Sequence, residues 1–188
     1  MKSGEVVHQF KSKDGREVIL RTPRWEDLDD LTEFINSLVD EGVDIATDQK
    51  ATREQEADWL GRRLASLEKG EQFSLIAEVD GKVVANSEIT KRGGYSKHVG
   101  GLGIGIKKGY RDIGIGTEML KTLLSEAKKM GLKMVFLNVF STNKRAIHVY
   151  EKASFKQTGR RPKFFFKDGK YIDDIIMAKE IQSNIQGQ

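Results

Sequence analysis

The sequence predicts a mixed α/β architecture, of the α+β or α/β class, in which helices cover the faces of a central sheet. Three observations carry that expectation. Apolar residues recur at helical spacing in several segments, while other segments are short strand-like runs. The two kinds interleave along the chain as two strands, two helices, three strands, a helix, a strand, a helix and two strands. Three Asp-Gly dipeptides, Asp14-Gly15, Asp80-Gly81 and Asp168-Gly169, separate pairs of strand-like runs where a tight hairpin needs positive φ.

Taken in order, Val6 to Phe10 and Glu17 to Arg21 are β-rich and flank Asp14-Gly15, so the chain opens with a hairpin. Leu28, Leu31, Phe34, Ile35 and Leu38 follow Thr22-Pro23 at helical spacing, with acidic residues in the first turn to complement the helix dipole. Glu41 to Lys50 lacks periodicity and reads as a loop. Thr52-Arg53-Glu54-Gln55 then resembles a capping box and leads into Trp59, Leu60, Leu64 and Leu67, a second helix. Phe73 to Val79 and Lys82 to Ile89 form the second hairpin, and Val99 to Ile106 a further strand after the turn-like Arg92-Gly93-Gly94-Tyr95. Met119, Leu120, Leu123, Leu124 and Ala127 make a helical stripe that stops at Gly131, and Met134 to Phe140 is a continuous apolar strand. Asn143 to Ala153 reads as a last helix, and Lys163 to Phe166 with Tyr171 to Ala178 as a closing hairpin.

Bulk properties narrow the function. A chain of 188 residues without repeats, linkers or low-complexity tracts is expected to be one domain over 1–188, with 181–188 as a flexible tail. With 32% charged and 38% hydrophobic residues it fits neither a disordered nor a membrane protein, and the absence of a signal-length apolar segment makes the cytoplasm the expected address. Cysteine is absent, which removes disulfides, thiolate-ligated metals and any acyl-cysteine intermediate. His8, His98 and His148 have no paired spacing, so no metal is expected. A net charge of +4 suits an anionic ligand. The cations are nevertheless spread among nearly as many carboxylates, so nucleic-acid binding is not expected.

The chemistry concentrates in Ile104-Gly105-Ile106-Lys107-Lys108-Gly109-Tyr110-Arg111-Asp112-Ile113-Gly114-Ile115-Gly116-Thr117, a strand that passes through a basic, glycine-rich turn into a helix. Gly114 and Gly116 let backbone N–H groups approach an anion, the helix dipole adds partial positive charge, and Lys107, Lys108 and Arg111 add full charges. Several donors together suit a pyrophosphate. A dinucleotide fingerprint fits poorly, because Gly103, Gly105 and Gly109 lie in and just after the strand instead of opening the helix. A Walker loop would need a lysine before Thr117, where Gly116 stands.

Arg111-Asp112-Ile113-Gly114-Ile115-Gly116 resembles the coenzyme A signature Arg/Gln-x-x-Gly-x-Gly/Ala of the GNAT superfamily of N-acetyltransferases. Phe136-Leu137-Asn138-Val139, followed by Asn143 and Ala146-Ile147-His148-Val149-Tyr150-Glu151-Lys152, resembles that family's strand, asparagine and Ala-x-x-x-Tyr-x-Lys helix. With Leu20-Arg21 and the closing hairpin, the likeness covers nearly the whole chain. It implies a twisted, mostly antiparallel mixed sheet flanked by helices. It also implies acetyl-CoA as cosubstrate, without a metal, in a V-shaped splay between Val99–Ile106 and Met134–Phe140.

By the same resemblance Ile104 to Ile106, Arg111 to Thr117, Asn143 and Tyr150 contact the cofactor, and the Tyr150 hydroxyl protonates the departing thiolate. The residues alone leave other roles open: Asn143 at the helix start is also a natural cap, and Tyr150 a natural core aromatic. Many relatives carry a glutamate early in the strand that here reads Val99-Gly100-Gly101-Leu102. Glu88, on the preceding strand, is the substitute expected as general base, directly or through water, with His98 second. Ser154 replaces the family's usual glycine after the helix.

The expected acceptor is a small-molecule or peptide amine, such as a polyamine, an amino acid or a peptide amino terminus. Carboxylates at Asp40, Glu41, Asp44 and Asp48 suggest a cationic one, although a solvated acidic loop explains them as well. The competing class is a non-catalytic coenzyme A-binding module or a basic nucleic-acid-binding domain. Monomer and homodimer are both compatible with the sequence.

Overall fold

The computed structural model describes residues 2–45 and 47–181. Eight strands form one sheet: β1 (Val6–Lys11), β2 (Glu17–Arg21), β3 (Gln72–Val79), β4 (Lys82–Lys91), β5 (Val99–Ile106), β6 (Met134–Phe140), β7 (Lys156–Lys167) and β8 (Lys170–Glu180). Helices α1 (Leu28–Glu41), α2 (Arg53–Glu68), α3 (Ile115–Lys129) and α4 (Lys144–Lys152) cover it. The order across the sheet is β1-β2-β3-β4-β5-β6-β8-β7, and every neighbouring pair is antiparallel except β5 and β6. The mixed, mostly antiparallel sheet expected from the sequence is therefore present.

Local chemistry sets the element ends. Thr52 accepts from the Gln55 N–H while the Gln55 side chain returns to the Thr52 N–H, so the capping box starts α2 as expected. Gly42, at φ +64°, ends α1 by returning its N–H to the Leu38 and Val39 carbonyls. Ser154 takes the left-handed position after α4 at φ +67°, a conformation that costs a residue with a Cβ roughly 1 kcal/mol.

The alternation of side chains along β3 buries both of its faces. Ile76 points toward α1 and α2 and packs with Leu28, Leu31 and Leu60. Leu75 and Ala77 point the other way and join Ile115, Met119, Leu123 and Ala127 of α3 in the larger core. Each of the Leu, Ile and Met side chains among these, buried at 4% exposure or less, contributes about 1.5–3 kcal/mol. Among the described residues no helix is long and apolar enough to cross a membrane.

Two expectations change. The closing hairpin is longer than the run from Lys163 to Phe166, because β7 begins at Lys156. Gly159 and Pro162 hid it: the register shifts between Gln157 and Gly159 and again between Arg161 and Phe165, which erases the period of two, and Pro162 is tolerated because β7 is an edge strand. Ile181, the first residue of the expected tail, is buried against the core and donates its N–H to the Lys133 carbonyl at 2.8 Å. The remainder of that segment, 182–188, lies outside the described residues.

Candidate active site

β5 and β6 pair in parallel only through Val99 with Met134, Gly100 with Val135 and Gly101 with Phe136. Beyond that point each strand pairs only on its outer side: Leu102 to Ile106 with β4, and Leu137 to Phe140 with β8. The facing edges part and leave backbone groups unpaired between them. The splay opens into a cleft of ≈ 540 Å³. Ile104, Gly105 and Ile106 of β5 line one wall, and Asn143, Ala146, Val149 and Tyr150 the other. Leu38, Glu41 and the loop from Gly42 to Ile45 line it as well.

At the end of β5 the glycine-rich turn is shaped to present N–H groups. Asp112 and Gly114 have φ of +65° and +99°, and a Cβ added to Gly116 would come within 2.9 Å of Ile106 Cδ1. The turn's carbonyls are held by donors of the chain itself. Ile106 O accepts from Arg111 Nε at 2.8 Å, Gly109 O from Arg16 Nη2 at 2.9 Å and Ile113 O from the Lys13 N–H at 2.9 Å. The backbone amides from Arg111 to Thr117 donate to no protein acceptor among the described residues. Turned-back carbonyls and free amides at a helix start make a nest for an anion with several oxygens.

Its charges differ from the expectation. Arg111 is bound through both terminal nitrogens to Glu41, Lys107 pairs with Glu33 at 2.6 Å, and Arg145 pairs with Asp112 at 2.9 Å. The hydrogen bond from Arg111 holds the Glu41 carboxyl below its usual range. Arg111 and Lys107 therefore arrive already partnered by residues of α1, which the local spacing of the motif could not reveal.

Tyr150 combines burial with access. Its ring packs against Phe155 at 5.8 Å and belongs to the core, yet the residue also lines the cleft. Burial pushes its phenol up to about 12, because an apolar surrounding disfavours the phenolate. A proton is thus retained at neutral pH. Asn143 lines the same wall, where its side-chain oxygen accepts the Ala146 N–H at 3.1 Å and caps α4.

Glu88 is not among the residues lining this cleft. Its Oε1 sits 3.1 Å from Arg63 Nη2 of α2, and it fills the space over Gly103, 2.9 Å from where a Cβ would stand. A Cβ on Gly105 would meet Leu38 at 3.2 Å and Phe34 at 3.3 Å. These two glycines therefore admit the neighbouring carboxylate and α1 against β5. His98 is exposed, and its main-chain carbonyl accepts from the Lys133 and Met134 amides.

The acidic loop is largely self-neutralised: Asp40 pairs with Lys50, Glu41 with Arg111, and Asp44 with Lys167 while also accepting from Thr142 Oγ1 at 2.8 Å. Pairing of three of the four carboxylates weakens the suggestion that its charge attracts a cation. Asp44 instead ties the loop after α1 to the far wall and to the tip of the β7–β8 hairpin. Sequence reasoning missed that bridge, as it missed Asp174. Asp174 is fully buried, its Oδ2 accepts from Asn138 Nδ2 at 2.6 Å and Arg161 Nε at 2.7 Å, and its Oδ1 has no partner among the described residues.

A model of the Acetyltransferase (GNAT) family matches residues 31–155. The chain is 27% identical over 107 residues to an L-amino acid N-acetyltransferase of Escherichia coli, covering 56% of this chain and 66% of that protein. Its structure is similar to that of a GNAT-family acetyltransferase from Streptococcus pneumoniae, with TM-score 0.79 and 26% identity over 88% of this chain and 99% of the other. It also shares its fold with a phosphinothricin acetyltransferase of Sinorhizobium meliloti solved in complex with acetyl-CoA, at TM-score 0.78 and 17% identity, over 91% of this chain and 92% of that one.

Proposed function

The chain belongs to the GNAT family of acetyltransferases, and on that premise we propose that it moves the acetyl group of acetyl-CoA directly onto a primary amine, without a covalent enzyme intermediate. The protein is an acyltransferase with acetyl-CoA as cosubstrate. The observation that carries the finer reading is the parting of β5 and β6 beyond Gly101 and Phe136, which leaves a cleft between the anion nest and Tyr150.

The fit of acetyl-CoA rests on residues of this chain. The amides from Arg111 to Thr117 would hold the pyrophosphate, the open backbone edge of Ile104 to Ile106 would pair with the pantetheine amides, and Asn143 would flank them. The cosubstrate supplies an activated thioester. Tyr150 donates its proton to the departing sulfur, a role suited to a phenol that burial keeps protonated. The amine must lose a proton as its nitrogen bonds to the acetyl carbon. Glu88 is the proton acceptor in this reading, through a water, supported by its place over Gly103 on a strand that carries no carboxylate.

The acceptor is an amine on an amino acid, a polyamine or a peptide terminus, with amino acids favoured by the name of the Escherichia coli relative. Eight strands in one sheet support a single domain. The test is thiol release from acetyl-CoA against panels of polyamines, L-amino acids and short peptides, for the wild type and Tyr150→Phe. Release confined to one amine panel and largely lost in the variant is the expected result. Equal release by both proteins removes Tyr150 from the reaction, and a gel-shift with DNA or RNA in place of any release would point to the nucleic-acid alternative.

A further inference from the structure

The turn between β1 and β2 reaches across the sheet and touches the anion nest at three points, none of them required by the turn's own geometry. The Lys13 N–H donates to Ile113 O at 2.9 Å, immediately before the first residue of the nest's helix cap, Gly114. Arg16 Nη2 donates to Gly109 O at 2.9 Å, and the Arg16 guanidinium lies 4.5 Å over the ring of Tyr110. Asp14 holds that guanidinium from the other side through Nε at 2.9 Å, while Ser12 Oγ also donates to Asp14. Arg16 is thus fixed on its edge and on its face. The peptide between Ile113 and Gly114 supplies one of the nest's amides, and the hairpin turns back its carbonyl, Ile113 O; Arg16 holds Gly109 O at the entry to the loop, where the Tyr110 N–H is itself tied back to Lys107 O at 3.2 Å.

We infer that the N-terminal hairpin is a positioning element for the cosubstrate's diphosphate: Arg16 and the Lys13 amide hold the loop from Gly109 to Gly114 in its anion-binding form from behind. The inference rests on the placement of the pyrophosphate in that loop. Arg16 acts through the loop backbone and touches neither the acetyl group nor the acceptor. Loss of the brace frees the entry of the loop at Gly109 and lets the peptide plane at Ile113 rotate, so that the amides from Arg111 to Thr117 no longer converge on one point. The penalty falls on ligands that carry the diphosphate and spares those that lack it.

The experiment measures affinity by titration calorimetry for two probes, acetyl-CoA and S-acetylpantetheine, which shares the thioester and pantetheine arm but has no diphosphate. Arg16→Met keeps the aliphatic stem and removes the guanidinium. It is expected to weaken acetyl-CoA about tenfold, the scale of one hydrogen bond from a charged donor, and to leave S-acetylpantetheine unchanged. Tyr110→Leu should give the same selective loss, and combining the two should add little because both remove one brace. Equal loss for both probes would mean a general structural effect and overturn the inference. So would unchanged acetyl-CoA affinity in Arg16→Met. Gly114→Val separates the two levels of the argument. If it abolishes the advantage of acetyl-CoA over S-acetylpantetheine while Arg16→Met does not, the hairpin has no positioning role and the loop assignment stands. If Gly114→Val leaves that advantage intact, the loop is not the diphosphate site and the hairpin inference falls with it.

Discussion

Arg111 closes on both carboxylate oxygens of Glu41, with Nη2 to Oε2 at 2.6 Å, so a cation of the anion nest is bound in advance by the last residue of α1. A phosphate entering the nest competes with Glu41 for that guanidinium. Glu41→Gln is therefore expected to tighten acetyl-CoA binding by up to about fivefold, the scale of about 1 kcal/mol for a partly exposed pair, and to steepen its salt dependence. Calorimetry at two ionic strengths checks this. Weaker binding by the variant would mean that Glu41 holds Arg111 in its useful geometry instead of competing for it.

Tyr150→Phe should lower turnover by about a hundredfold or more and change acetyl-CoA affinity little, since only a proton donor is removed. Burial raises the phenol to about 12, so its protonated form persists through the neutral range and is lost only as pH climbs toward that value. The wild-type rate should accordingly show no decline from Tyr150 ionisation at pH 10. The difference between the alkaline absorbance titrations of wild type and Tyr150→Phe should contain one step near 12, and a step near 10 would contradict the burial argument.

Glu56, on α2, is 7% exposed, and burial raises its pKa above the ordinary 4.5, with Arg63 pulling weakly the other way. A raised folded value means stability that is fully present below pH 4.5 and is lost as pH rises from there through the higher folded value. Glu56→Gln should remove this dependence and leave the variant the more stable protein at neutral pH. Urea midpoints compared across the acid range test it. Parallel curves for the two proteins would show that the carboxylate pays no burial penalty.

Arg21 and Asp27 form a bidentate pair at 2.7 and 2.6 Å with side chains only 5% exposed, and Arg21 Nε also reaches Glu78 at 2.8 Å. Asp27→Ala removes two of the four hydrogen bonds of a buried guanidinium and leaves it Glu78 and the Thr22 carbonyl. A loss of about 3–5 kcal/mol is expected in denaturant unfolding. Arg21→Met, Asp27→Leu and Glu78→Gln together should recover part of it, because apolar and neutral groups cost less there than a buried charge with an incomplete set of partners. Failure of Asp27→Ala to destabilise would mean that water reaches the site.

The candidate site was legible in the sequence where its signals were contiguous. Arg111-x-x-Gly114-x-Gly116 lies within one turn, and Asn143 and Tyr150 lie two helical turns apart, so spacing alone brings each set together. Asp80-Gly81 and Asp168-Gly169 marked their hairpins because the turns need the positive φ that all four residues adopt. The beginning of β7 was hidden because its bulges and Pro162 destroy the alternation by which a strand is recognised.

By itself the sequence determined the element order, the glycine-rich turn that starts α3 and the helix that carries Tyr150, because propensity, periodicity and turn chemistry act over a few residues. Only the tertiary structure decided how charge and backbone were allotted around them. Glu41 meets Arg111 across 70 positions, Arg16 meets Gly109 across 93, and Lys167 reaches Asp44 across 123. A carboxylate carries no local mark of whether it meets water, a ligand or a cation of its own chain. The acidic stretch, open in one dimension between a cation site and a solvated loop, is ion-paired in three at Asp40, Glu41 and Asp44. Glu88 likewise found Arg63 and the gap over Gly103 because β4 and β5 lie side by side with α2 laid across them.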